Sequence, residues 1–246
     1  MRKIIVVLGI MVIIGVGGSA VYAQTDCASI SCIYLPLLEK STTVPEPTPT
    51  SSPSNNVVVM NTSAFEPSSD SKSVYLVGEV RNETASIVQY AKITAVLRDM
   101  SGKAVDSNYG YSSIDKLAPG MISPFRIIFA NPPAWTSYEL AVMWSNTDKA
   151  SVELQVINPE TFFDSSDAYH VRGTVGNQTS TQRTYVKVVL TMYNSAGKVI
   201  GEAYDYINPT TIEPGQEVPF EISIASWAGK PDRDNVVRST IRAFED

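Results

Sequence analysis

Few residues of this 246-residue chain have the types and spacings that chemistry needs. The single histidine, His170, excludes a multi-histidine metal site and leaves little room for a Ser/His/Asp or Cys/His mechanism. It stands at an outward position of an alternating stretch, which reads as a surface histidine rather than a catalytic base. Asp164, Asp167, Asp232 and Asp234 could offer oxygen ligands to calcium, but they lack EF-hand spacing and read as solvated loop charge. No local motif points to a glycosidase pair of carboxylates. Tyr109 and Tyr111, like Tyr204 and Tyr206, are two apart and share one face of a strand, a geometry that could stack on a sugar ring. Val105 and Ile200 have the same parity and look inward, so the tyrosines are expected at the edge of a core with their hydroxyls at the rim. Trp135 and Trp227 lie in loop-like stretches and are the first candidates for an exposed binding surface.

Composition narrows the partners. The 19 Lys and Arg against 25 Asp and Glu give a formal charge of -6, the wrong sign for a chain that must neutralise phosphates, so nucleic acid is not expected. No cofactor motif and no metal-ligand spacing is present, and no enzyme is expected.

The first 56 residues read as address and tether. Arg2 and Lys3, the apolar run Ile4 to Val16 and the small-residue pattern Val21-Tyr22-Ala23 make residues 1–23 a signal peptide, with an uncleaved membrane anchor as the rival reading. Removing Arg2 and Lys3 leaves 17 basic against 25 acidic residues, so the exported chain carries a charge of -8. In such a chain Cys27 and Cys32, with four residues between them in an apolar segment spanning 24–40, are expected to close a small local disulfide. Redox and metal readings fail on the C-x4-C spacing and the absence of a second ligand pair. Residues 41–56 are Ser, Thr and Pro, with Pro45, Pro47, Pro49 and Pro53 precluding helix or central strand. In polyproline II geometry, at about 3.1 Å per residue, this spacer reaches roughly 50 Å.

Beyond it the chain repeats itself. Displacement by 95 residues superposes two copies without a gap from Tyr75 to Ala130: Gly78, Val80, Asn82 and Thr84 fall on Gly173, Val175, Asn177 and Thr179. Tyr90 and Lys92 fall on Tyr185 and Lys187, and Pro119-Gly120 on Pro214-Gly215. Within each copy the apolar period is two, which predicts strands with one buried face. Leu76, Gly78 and Val80 point inward, as do Ile93, Ala95 and Leu97, and then Phe125, Ile127 and Phe129. The second copy offers Val171, Gly173 and Val175; Val188, Leu190 and Met192; and Phe220, Ile222 and Ile224. Turns are expected at Asp99 to Gly102 and Asn194 to Gly197, and at the two Pro-Gly pairs. Asn82-Glu83-Thr84 and Asn177-Gln178-Thr179, with Asn61-Thr62-Ser63, fit the N-glycosylation pattern, but a turn that needs Asn bonded to the following backbone accounts for the first two. The whole reads as all-β: two tandem immunoglobulin-like antiparallel β-sandwich domains, residues 57–147 and 151–246, after a signal peptide and a Pro-rich linker.

The alternating strand, the acidic or amide turn, the Gly-Lys pairs at 102–103 and 197–198, and the later Pro-Gly followed by Phe resemble the FxLYD domain of exported bacterial proteins. Its naming motif would fall at Ala95-Val96-Leu97-Arg98-Asp99 and Leu190-Thr191-Met192-Tyr193-Asn194; the first keeps Leu and Asp, the second keeps Tyr, and neither has the initial Phe. The resemblance implies a β-sandwich and transfers no catalytic residue. The expectation is a non-catalytic, secreted or cell-surface protein presenting two modules to a protein, glycan or wall polymer. The membrane is involved only if the leader stays in place. The alternative is a small hydrolase with paired carboxylates at the junction near Asn146 to Ser151.

Overall fold

Strands form where the alternation predicts them, and turn residues end them. The computed structural model describes residues 56–66, 72–166, 168–224 and 235–246, all within one compact unit, Thr50–Asp246. The leader, the Cys27 and Cys32 pair, the Pro-rich stretch, Trp227, Asp167, Asp232 and Asp234 lie outside the described residues. Among the described residues there is no helix, and the protein is all-β in several antiparallel sheets.

Copy one supplies β1 (Val57–Phe65), β2 (Ser73–Asn82), β3 (Ile87–Arg98), β4 (Ala104–Tyr111), β5 (Lys116–Leu117), β6 (Ile122–Ala130) and β7 (Ser137–Thr147). One sheet has the order β1-β2-β6; in the other, β3 pairs with β4, β5 and β7. Copy two supplies β8 (Val152–Phe163), β9 (Tyr169–Gly176), β10 (Arg183–Thr184), β11 (Lys187–Tyr193), β12 (Val199–Tyr206), β13 (Thr211–Ile212), β14 (Glu217–Ile224) and β15 (Arg238–Glu245). Here β8 pairs with both β15 and β9, joining six strands in the order β12-β11-β15-β8-β9-β14.

The duplication extends past the ungapped stretch. Asn61 and Asn158, 97 residues apart, both take positive φ (54° and 47°) at matching bulges in the β1–β2 and β8–β9 ladders. Tyr90 and Tyr185 share a φ of 51° at a second matched irregularity, which interrupts β3 and separates β10 from β11. Left-handed geometry is costly for a bulky residue, so its recurrence marks a backbone kink that the fold requires. Each such tyrosine donates its N–H across the kink, Tyr90 to the Asp115 carbonyl and Tyr185 to that of Thr210.

Asn82 and Asn177 are fully buried, and their side chains close the same corner in each copy. Nδ2 of Asn82 donates to the carbonyls of Ser86 and Leu117, both at 2.8 Å, while Oδ1 accepts from the Thr84 N–H and hydroxyl. Asn177 repeats this with Thr181, Ile212 and Thr179. Their backbone carbonyls accept from Gly120 and Gly215 of the Pro-Gly turns. The turn, not glycosylation, explains both Asn-X-Thr patterns, since an amide nitrogen enclosed in this way is closed to modification in the folded chain.

The apolar cores follow the predicted phase. Leu76, Val80, Ile93, Ala95, Leu97, Phe125, Ile127 and Phe129 are buried in copy one, and Val171, Val175, Val188, Leu190, Met192, Ile222 and Ile224 in copy two. Gly78 faces Phe125 across the ladder, and a Cβ there would meet that ring at 2.9 Å and Thr62 Cγ2 at 2.8 Å, which is why a strand interior carries glycine. Two strands depart from half-burial. All of β11 is buried, and so is all of β2 but Arg81. The reason is tertiary: Val77 packs with Tyr193 and Val199 of copy two, and Val189 and Phe244 of copy two join the copy-one core. The outer face of the β1-β2-β6 sheet is covered by the outer face of the β12-β11-β15 sheet.

A candidate binding cleft between the copies

The tyrosine pairs stand where the parity argument did not put them. In the β3–β4 ladder Leu97 pairs with Asp106 and Arg98 with Ala104, leaving Val105 as an extra residue. Ile200 is the extra residue in the β11–β12 ladder, where Met192 pairs with Gly201 and Tyr193 with Val199. One inserted residue exchanges the two faces of everything beyond it. Tyr109 and Tyr111 therefore share the outer face with Thr94 and Lys92, their partners in register, and both are about half exposed, at 52% and 50%. Tyr204 and Tyr206 do the same opposite Val189 and Lys187. The core-edge expectation for these rings is corrected by the bulges.

On copy two this outer face is the one that meets copy one, so Tyr204 enters a cleft of about 460 Å³ between the copies. Tyr109, Tyr111, Asn108, Ser112, Arg126 and Ile128 line it from copy one, and Lys187 and Glu202 from copy two. Tyr109 and Tyr111 meet edge to face with centroids 5.9 Å apart, and Lys92 Nζ lies 3.8 Å over the Tyr109 ring. The equivalent lysine, Lys187, sits farther from its tyrosine, 5.3 Å from the Tyr204 centroid, and reaches toward copy one. Its ammonium donates to the Ser113 carbonyl at 3.0 Å and to Asp246 Oδ2 at 3.0 Å, with Asp115 Oδ1 at 3.4 Å. Glu202, 3% exposed, accepts from the Ser113 hydroxyl at 3.0 Å and faces Arg126 at 3.4 Å.

Burial pushes the Glu202 carboxyl above the usual carboxylate range against the pull of Arg126, Ser113 and Lys187. Asp115 is raised by burial and then by the neighbouring Asp246. Burial alone would lower the Lys187 ammonium, but Asp246 and Asp115 outweigh it and hold it above the ordinary lysine value. Each of these charged groups is thus engaged with an opposite charge or a hydroxyl, most of them across the junction. One polar atom is not: Ser112 Oγ is buried without a hydrogen-bond partner, at a position where copy two carries the core residue Ile207.

The other sequence candidates fall elsewhere. Trp135 is partly buried against the copy-one core beside Tyr138, ring centroids 6.4 Å apart, and does not line the cleft. His170 stacks on Phe162 at 5.0 Å and is held between Asp164 (3.0 Å) and Glu221 (3.1 Å). Asp164 lies well below the usual carboxylate range because Ser166, Ala168 and His170 all bond it. The linker Asn146 to Ser151 brings no pair of carboxylates together; Ser151 instead donates its hydroxyl to Asp246. The carboxylates at the junction come from β12, from the turn before β5 and from the final residue, which sequence proximity could not group. A usable signal was present: Lys92 and Lys187 match, yet only Lys187 is followed at alternate positions by Val189, Thr191 and Tyr193, too apolar for a solvated face.

No protein-family model matches the chain, and no curated protein matches it. Among solved structures, a calcium-binding mutant of Bacteroides uniformis beta-glucuronidase 2 is similar at 13% identity over 68% of this chain and 23% of that one, with a TM-score of 0.22. The same enzyme bound to cyclophellitol-6-carboxylate aziridine is similar at 11% identity over 63% and 22%, with a TM-score of 0.21. The chain therefore spans less than a quarter of the length of either.

Proposed function

We propose that the chain is an exported, non-catalytic protein that presents two immunoglobulin-like β-sandwich modules of FxLYD type, residues 57–147 and 151–246, at the cell envelope or beyond it. Its partner is a protein, a glycan or a wall polymer. One observation carries the reading: every charged group at the junction cleft is committed to holding the modules together, which leaves an aromatic and hydroxylic surface suited to contact and not to turnover. The leader and the Pro-rich spacer supply delivery and reach. Fractionation of the producing cells with N-terminal sequencing is expected to place the protein outside the cytoplasm. The purified full chain is expected to capture an envelope or extracellular component without consuming any glycoside. A cytoplasmic protein that starts at Met1, or steady turnover on a glycoside panel, refutes the proposal.

A second reading has its own support, since Glu202 and Asp115 line the same concavity and burial raises both carboxyls. On that reading the chain is a small hydrolase, and Glu202→Gln abolishes turnover on whichever glycoside it consumes.

A further inference from the structure

We infer that the cleft between the copies is a binding site for a neutral pyranose, one residue of an oligosaccharide chain. This rests on the reading of the protein as a binding module and gives it a ligand class. Three tyrosine rings from two strands of different copies, Tyr109, Tyr111 and Tyr204, face the cleft about half exposed. Large half-exposed rings gathered in a concavity offer the flat apolar surface on which the C–H face of a sugar packs. At the ring edges the three tyrosine hydroxyls, and beside them the exposed Asn108 amide, offer both donors and acceptors. Hydroxyl groups, each both donor and acceptor, match such a mixture better than an ion of either sign does.

Charge points the same way. Arg126 and Lys187 are offset by Glu202, Asp115 and Asp246, so the cleft holds no uncompensated cation for a uronate or phosphate and no free carboxylate cluster for a metal ion.

The test uses the full chain with chitotetraose and cellotetraose, neutral oligomers whose ring substituents are equatorial. Calorimetry is expected to show saturable binding at about 1 mM or tighter, and the tyrosine ring signals of the unmodified protein are expected to shift on titration. Tyr109→Ala and Tyr204→Ala, in different copies, are each expected to weaken binding about tenfold or more. Tyr185→Ala, at an exposed tyrosine outside the cleft, is expected to leave it unchanged. No binding of either oligomer at several millimolar, or binding indifferent to both cleft substitutions, overturns the inference. Capture of polygalacturonate or a proline-rich peptide in place of both oligomers, lost in the tyrosine variants, also overturns it while leaving the non-catalytic binding reading intact. Hydrolysis of a bound tetraose in the unmodified protein supports the pyranose site and refutes the non-catalytic reading.

Discussion

Asn82 and Asn177 each satisfy two backbone carbonyls and one backbone N–H inside the protein. Alanine at either position leaves those buried groups without partners and is expected to destabilise the fold by about 2–4 kcal/mol, read as a lowered urea midpoint. The effect should be alike in the two copies, because the corner is built from the same bonds. His170 makes a pH-dependent contribution. The hydrogen bond to Asp164 outweighs desolvation and, with a lesser contribution from Glu221, raises its pKa above the ordinary histidine value. Its stabilisation is therefore full below about pH 6.5, the value in the unfolded chain, and is lost as pH rises through the higher folded value. His170→Gln is expected to flatten that slope in a pH series of unfolding midpoints; an unchanged slope would show that the imidazole is not held by these carboxylates.

Among the elements, β4 and β12 are counterparts in sequence with different surroundings. Gly110 of β4 runs against β6, and a Cβ there would lie 2.2 Å from the Arg126 carbonyl oxygen. Its counterpart 95 residues on, Asp205 of β12, is exposed. Gly110→Ala must push β4 off β6 and is expected to cost about 2–4 kcal/mol, while Asp205→Ala should stay within about 0.5 kcal/mol. Paired chemical denaturation curves measure both. The bulges at Val105 and Ile200 belong to this scale too, since a single inserted residue decides whether four tyrosines fill a core or face outward.

For the molecule as a whole, the two copies pack front to back, so matching faces have different fates. Val77 on β2 is buried under copy two and Tyr75 beside it is buried against Phe65, while their equivalents on β9 are His170 and Arg172, in an ion-paired outer surface. Charge on that free face disfavours a third module stacking in the same way. Val77→Asp places an unpaired charge against Tyr193 and Val199 and is expected to cost about 3 kcal/mol or more. The copies should then separate, giving a larger radius of gyration by X-ray scattering and two unfolding transitions. A single transition at an unchanged midpoint would show that this contact does not hold them together.

The strand positions, the inward phase of Leu97 and Met192, the paired corners at Asn82 and Asn177 and the turns were legible in the residues. Those features depend on neighbours in sequence and on a period of two, and the duplication stated each of them twice. The outward turn of the tyrosines was not legible, because a bulge changes register without changing composition. Nor was the burial of both faces of β2 and β11, or the meeting of Asp115, Arg126, Lys187, Glu202 and Asp246. A strand's pattern records which of its faces is apolar, and only the docking of one copy on the other decides which polar face leaves water and which distant charges must then find each other.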